Sequence, residues 1–427
     1  MYQPIIALAF YFGLFTALPS TALAGDEPAS QTWSQWRGPN RDGSVTSLKL
    51  PDSLEEDRLK QIWRVALSPS YSGPIVSKDR VFVTETVDQK TEVVRALDRK
   101  TGKELWKQSW SGSLSVPFFA KANGDWIRAT PTLDGDRLFV AGIRDVLVCL
   151  DANSGKELWR IDFVKQTKAN PPAFGFASSP LVVGDAVFVQ AGGGFCKVDQ
   201  QTGKIVWRIL DDGGGMSGSA FSSPFYTTLN GVPQIIVQTR TTLAGVDPEQ
   251  GTVYWKKEIP AFRGMNILTP AVIDDFIFTS SYGGGSFLFT TAKNESGWNL
   301  NQKWTSKTQA YMSSPNIIDG HLYLHLRNQR FTCLDLETGV VRWTTTPFGK
   351  YWSTVTDGQK ILALDQKGDL LLIRANPEKF DLIDRRKVAD DSWAHIAVSG
   401  NEIFIRDLNH LTAYRWNDAA SNNGPTP

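Results

Sequence analysis

Asp199-Gln-Gln-Thr-Gly-Lys-Ile-Val-Trp207 decides the fold, because its pattern returns along the chain as Asp98-Arg-Lys-Thr-Gly-Lys-Glu-Leu-Trp106, Asp151-Ala-Asn-Ser-Gly-Lys-Glu-Leu-Trp159, Asp247-Pro-Glu-Gln-Gly-Thr-Val-Tyr-Trp255 and Asp335-Leu-Glu-Thr-Gly-Val-Val-Arg-Trp343. Asp, Gly and Trp keep fixed offsets in every copy. Trp304, in Leu300-Asn-Gln-Lys-Trp304, falls between the fourth and fifth copies and marks a degenerate unit whose turn is lengthened around Asn294 to Trp298. Successive tryptophans lie 53, 48, 48, 49 and 39 residues apart. A period of about 40 to 50 residues is that of a four-stranded propeller blade.

Around Trp207 the unit resolves into short β-branched or alternating runs at 178–183, 186–190, 195–198 and 205–209, separated by Gly or Asp turns and named here strands A to D. Tight-turn pairs link A to B: Asp134-Gly135, Gly184-Asp185, Asp319-Gly320, Asp357-Gly358 and Gly400-Asn401. In the Asp-x-x-Thr/Ser-Gly link between C and D, the Asp accepts backbone hydrogen bonds and the Gly takes positive φ. These carboxylates and glycines read as hairpin residues, not catalytic ones. The repeated Trp is the bulky wedge for the widening gap between radially arranged sheets.

Strand A begins near Pro74, Pro131, Pro180, Pro224, Pro270, Pro315, Thr354 and Ile396, which counts eight blades. The seventh has lost its Trp. The eighth ends after strand C, and the run 61–66, which carries Trp63 in the D pattern one repeat before Trp106, supplies its missing strand. The expected fold is all-β: an eight-bladed propeller of four-stranded antiparallel blades over residues 58–416, closed by an N-terminal strand that leaves few exposed edges.

Residues 1–24 read as a signal peptide, with an apolar run from Ile5 to Leu18 and small residues ending at Ala24 before Gly25. Cleavage near Ala24/Gly25 predicts a periplasmic or secreted chain with no membrane span in its mature form. Residues 25–57 read as an N-terminal extension and 417–427 are expected to form a disordered tail. Lys plus Arg (45) almost cancels Asp plus Glu (44), leaving no basic field for nucleic acid or an anionic membrane. Cys149, Cys196 and Cys333 are scattered through strand-like runs and read as buried small side chains. His321 and His325 lie about 13 Å apart at roughly 3.3 Å per strand residue, too far to share a metal. The triple glycines at 192, 213 and 283 precede no helix and carry no Gly-Lys-Ser/Thr signature for phosphate. No metal site and no nucleophilic triad is expected.

In a propeller the D-to-A connections emerge on one face, and here they are unusually aromatic. The candidate ligand- or partner-binding residues are Tyr71, Trp126, Arg128, Phe176, Phe221, Arg263, Tyr311, Trp352, Trp393 and His395, with Phe174, Phe262, Tyr351, Lys121, Lys350 and Asp391 beside them. Aromatic plus Arg clusters are typical of interface hot spots. Insertions at 113–127 and 164–177 enlarge the same face.

The Asp-x-x-Thr-Gly-Lys-x-x-Trp phrase, with Ser-Ser-Pro opening the innermost strand, resembles the pyrroloquinoline-quinone-like repeat over about residues 58–416. Quinoprotein dehydrogenases and BamB-type outer-membrane assembly scaffolds share this repeat. The extension Trp33-Ser-Gln-Trp36-Arg-Gly-Pro-Asn-Arg-Asp-Gly43 resembles the lead-in of secreted bacterial members and is expected to dock on the propeller. The resemblance implies two kinds of function. The first is an exported, non-catalytic, monomeric scaffold that takes a protein or peptide in the cell envelope and needs no cofactor. The alternative is a divergent oxidoreductase using pyrroloquinoline quinone with calcium. Dehydrogenases of that kind carry adjacent cysteines, a calcium site and a catalytic Asp, whereas no two cysteines here are adjacent and no carboxylate constellation stands outside the hairpins. The scaffolds are lipoproteins, and no Cys follows the cleavage site here.

Overall fold

The C-to-D turn folds as its sequence dictates: in the computed structural model Asp199 Oδ1 accepts from the Thr202 amide at 2.7 Å and from its hydroxyl at 2.6 Å, and Gly203 turns the chain at φ 72°. The strands of that blade are Leu181–Val183, Ala186–Ala191, Gly194–Asp199 and Ile205–Ile209. Residues 32–45, 48–218, 221–295 and 297–417 are described. The signal peptide expected at 1–24 and the tail beyond Asn417 lie outside them.

Eight four-stranded antiparallel sheets form the ring. Leu59–Ala66 pairs with His410–Trp416, from Leu59 opposite Trp416 to Ala66 opposite His410, so the N-terminal strand completes blade eight. Blade five departs most from the repeat, since its last two strands, Gly285–Asn294 and Gly297–Ser306, form one long hairpin. Among the described residues helix is confined to short turns such as Phe118–Asn123 and Phe163–Thr167. No described helix is long and apolar enough to cross a membrane.

Each wedge tryptophan does more than fill volume. The Trp159 indole N–H donates to the Gln200 carbonyl of the next blade at 3.0 Å, and a methyl placed on Gly203 would lie 2.7 Å from the Trp159 ring. Trp63 stands in the same relation to Arg99 and Gly102, and Trp106 to Ala152 and Gly155. Trp207 and Trp304 repeat it on Glu249 and Leu336, and Trp343 bonds the Asn376 carbonyl. The Gly of the repeat is therefore the seat of the preceding blade's Trp. Trp255 faces the long hairpin of blade five instead and bonds Gln234 Oε1 within its own blade. In blade seven, register places Asp384 where the Trp would stand, and Asp384 Oδ2 accepts from the Leu54 amide at 2.6 Å and the Ser53 hydroxyl at 2.9 Å. The lost wedge has become an anchor for the N-terminal extension.

The Ser-Ser-Pro segments expected to open strand A lie just before it. Pro has no N–H to give a ladder, and the residue before each Pro turns toward the neighbouring blade. Gly73 N donates to Thr130 Oγ1 (3.1 Å), Thr130 N to Ser179 Oγ (3.0 Å), Ser179 N to Ser223 Oγ (2.9 Å) and Ser223 N to Thr269 Oγ1 (2.9 Å). These bonds tie blades one to five together at the mouth of the channel. Register puts Gly73 and His395 at equivalent positions of the first and last blades. A methyl on Gly73 would lie 2.9 Å from the His395 carbonyl, so the smallest residue faces the largest at the closing seam.

Candidate functional site

Strand A runs away from the channel mouth and strand B returns, so the D-to-A connections and the B-to-C turns share one face. The other face carries the A-to-B and C-to-D hairpins. The N-terminal extension enters the channel from that second face. Trp33 exchanges backbone hydrogen bonds with Val76, Ser34 O accepts from Leu133 N, and Gly43 and Val45 bond the Thr356 backbone. Higher up, Arg37 Nη2 donates to the Pro315 carbonyl at 2.9 Å, and Arg41 reaches the carbonyls of Pro180 at 2.8 Å and Ser179 at 3.1 Å. One short segment thereby touches blades one, two, three, six and seven. Its Trp36 meets the His395 ring of blade eight edge-on, with centroids 5.2 Å apart.

The plug turns the channel into a blind funnel of about 310 Å³ with Trp36 in its lining. The wall is aromatic. Trp126 packs against Tyr71, Tyr71 stacks on Trp393 at 4.4 Å with planes 9° apart, Trp393 meets Tyr351 at 3.9 Å, and Tyr351 meets Tyr311. The run continues through Tyr282 to Phe262. A second arc joins Phe119, Phe174 and Phe221, and the Arg240 guanidinium lies 5.7 Å from the Phe174 centroid and 5.2 Å from that of Phe221.

Of the ten candidates, Tyr71, Arg128, Phe221, Tyr311, Trp352, Trp393 and His395 line the funnel. Trp126 stands behind Tyr71. Phe176 is only 2 % exposed and belongs to the core between blades two and three, where Phe163 packs on it edge-on. Arg263 is exposed on the rim, over the Phe262 ring. Trp352 is nearly buried too, stacked on His325 at 5.1 Å, and forms part of the wall. The sequence reading missed Arg240 and Phe119. Arg240 sits on the B-to-C turn Gln238-Thr-Arg-Thr-Thr242, which opens on the same face as the D-to-A connections that carry the sequence-predicted residues. Phe119 lies in the 113–127 insertion, whose length was the available signal.

The charged residues that line the funnel, Arg128 and Arg240, are cationic, with Asp125, Asp212 and Asp391 close enough to act on its residues from outside the lining. Burial lowers the guanidinium of Arg128 to about 10, of Arg37 to about 10 and of Arg41 to about 9, and lowers that of Arg240 as well; all remain charged at neutral pH. Arg128 donates to the carbonyls of Gly124 and Trp126, and neither Arg128 nor Arg240 has an ion pair among the described residues. His395 is pulled down to about 3, first by burial and then by Arg37. Its Nδ1 lies 3.4 Å from Ser353 Oγ, but so weak a base does not activate a hydroxyl. The arrangement offers stacking surfaces and hydrogen-bond donors.

A calcium-bound quinone does not fit these residues. Calcium needs about six to eight oxygen ligands, usually including carboxylates, and no Asp or Glu lines the funnel. Among the described residues no group of three His, Cys, Asp or Glu is placed to hold a metal ion. The three cysteines are fully buried in separate blades and unpaired.

Residues 53–121 and 90–345 match the family model described as outer membrane protein assembly factor BamB. The chain is 21 % identical over 384 residues to outer membrane protein assembly factor BamB of Moranella endobia (strain PCIT), covering 86 % of this chain and 92 % of that protein. Among solved structures it resembles BamB from Moraxella catarrhalis, with a TM-score of 0.61 at 15 % identity over 84 % of this chain and 98 % of that one. The quinohemoprotein alcohol dehydrogenase of Comamonas testosteroni is similar in fold, with a TM-score of 0.63 at 12 % identity over 91 % of this chain and 81 % of that one.

Proposed function

Because the chain belongs to the family of outer membrane protein assembly factor BamB, we propose that it is a non-catalytic binding scaffold of the cell envelope that takes a protein or peptide partner on its funnel face. The observation that supports this reading is the blind funnel itself. Aromatic walls, charged donors and exposed Phe118 and Phe262 converge on one side of a rigid ring, and rigid aromatic and Arg anchors are what interface hot spots use. Export through the 1–24 segment, cleavage near Gly25 and a monomeric mature form belong to the same proposal. The quinone-dependent alternative is not adopted, since the funnel lacks the donors it needs.

The test is site-specific photocrosslinking in the source cell, with benzoylphenylalanine in place of Phe118 or Phe262 on the funnel face and of Thr202 on the opposite face. Discrete adducts from the first two positions and none from the third are expected. Adducts from Thr202 alone would overturn the face assignment. Retention of added pyrroloquinoline quinone with calcium through gel filtration, at near one-to-one stoichiometry, would overturn the cofactor-free reading.

A further inference from the structure

Arg240 is 95 % buried, and its Nε and Nη1 atoms have no hydrogen-bond partner although the residue lines the funnel. Its Nη2 is occupied by the Arg263 carbonyl, which holds the guanidinium in place over Phe174 and Phe221. Two further donors are in the same state: the indole nitrogens of Trp352 and Trp393 are buried, partnerless and part of the same lining. A buried charged donor without an acceptor is costly, and such groups are ordinarily satisfied. Among the described residues no carboxylate lines the funnel, and Asp212, the acidic group that acts on Arg240, forms no ion pair with it.

We propose that the funnel recognises a carboxylate on an apolar peptide segment, with the carboxylate on Arg240 and the apolar side chains on the aromatic walls. This rests on the binding-scaffold reading and names the chemistry of its partner. Nε and Nη1 stand on different edges of the guanidinium, so a carboxylate accepts a charge-assisted hydrogen bond from one of them, and a group already held by a carbonyl and two rings loses little freedom on binding.

The rim explains why the occupant is a peptide. Outside the funnel, Phe118 is 85 % exposed, Phe119 52 %, Met216 50 % and Phe262 49 %. A small acid enclosed in about 310 Å³ would leave these side chains in water, whereas a peptide that enters at one end and lies across the rim covers them. Singly exposed apolar side chains are ordinary, but these belong to the loops that surround one opening.

Fluorescence anisotropy of the mature protein with two fluorescein-labelled octapeptides tests this. Both alternate Leu and Phe with a polar residue. One carries Glu and a free C-terminus, and the other carries Gln and a C-terminal amide. Tenfold or greater preference for the acidic peptide, weakened by salt, is expected. Arg240→Met should reduce that preference to about one, and Arg240→Lys should restore part of it. Should Arg240→Met fail to fold, Trp393→Phe removes one free donor and keeps a ring, and at least a threefold loss for the acidic peptide is expected. Equal binding of both peptides to the unaltered protein would overturn the carboxylate assignment and leave the scaffold reading standing. Binding of neither peptide, or displacement of the acidic one by free glutarate at equal concentration, would overturn the peptide proposal. Funnel-face crosslinks would still decide the scaffold reading on their own.

Discussion

Trp36 of the N-terminal extension and His395 of the last blade meet edge to face, with ring centroids 5.2 Å apart and planes at 80°. Two segments more than three hundred residues apart thus close the floor of the funnel together. Arg37 and Arg41 lie 5.7 and 5.5 Å from the Trp36 ring centroid, so its electron-rich faces also hold cations that burial would otherwise penalise.

Trp36→Ala should therefore lower stability by about 3 kcal/mol, the usual scale for truncating a buried aromatic, measured by urea unfolding. It should also open the His395 ring, only partly exposed in the funnel, further to water. In the unaltered protein burial and Arg37 hold that imidazole down at about 3. A histidine resonance that moves toward its ordinary titration range in the variant, followed by NMR, is the expected outcome.

Gly203→Ala and Gly135→Ala separate backbone strain from packing. Both residues have positive φ, but a methyl on Gly203 meets the Trp159 ring at 2.7 Å, whereas one on Gly135 meets nothing within 4 Å. The Gly135 change should cost about 1 kcal/mol, the strain alone. The Gly203 change should cost roughly 2 kcal/mol more, since overpacking adds to the strain. Equal urea midpoints would show that the wedge contact carries no stability.

Asp384→Ala removes the acceptor of the Leu54 amide and the Ser53 hydroxyl. A loss of about 1 to 3 kcal/mol follows from leaving a partly buried donor unsatisfied. Trypsin should cut faster after Lys49 and Arg58, which flank this anchor, than in the unaltered protein.

Two buried carboxyls should make stability fall as pH rises from 5 to 8, against the opposite contribution below about 6.5 of His325 and His395, which burial holds down at about 4 and about 3. Glu92, bonded to the Trp110 indole and the Ile143 amide, and Asp145, bonded to the Gly192 amide, are both raised to about 7, chiefly by burial. A folded pKa above the unfolded one favours the neutral form on folding. Its stabilisation is complete below the ordinary carboxyl range and is lost as pH climbs through about 7. The full effect is on the order of 3 kcal/mol per group. Glu92→Gln should gain stability relative to the unaltered protein as pH rises from 5 to 8, whatever its constant offset.

The three thiols should be inert in the native protein at pH 8. Burial raises Cys149 and Cys333 to about 11 and Cys196 to about 12, and all three side chains are enclosed. Ellman's reagent should react with none of them until urea unfolds the chain.

The sequence by itself determined the repeat, the number of blades and the closing strand, because these follow from local chemistry repeated at a fixed period. An Asp that accepts turn amides, a Gly free to take positive φ and a bulky Trp each leave a mark at one position, and Trp63 with the incomplete last blade revealed the closure. The aromatic face was legible for the same reason, as it collects on one class of connection. The tertiary structure alone decided which rings line the funnel, sending Phe176 into the core and Arg263 to the rim. It also brought in Trp36 and Arg240, drawn from the extension and from a B-to-C turn, and put Asp384 to use where a Trp was missing. Such partnerships join residues with no common period, and only ring closure makes them neighbours.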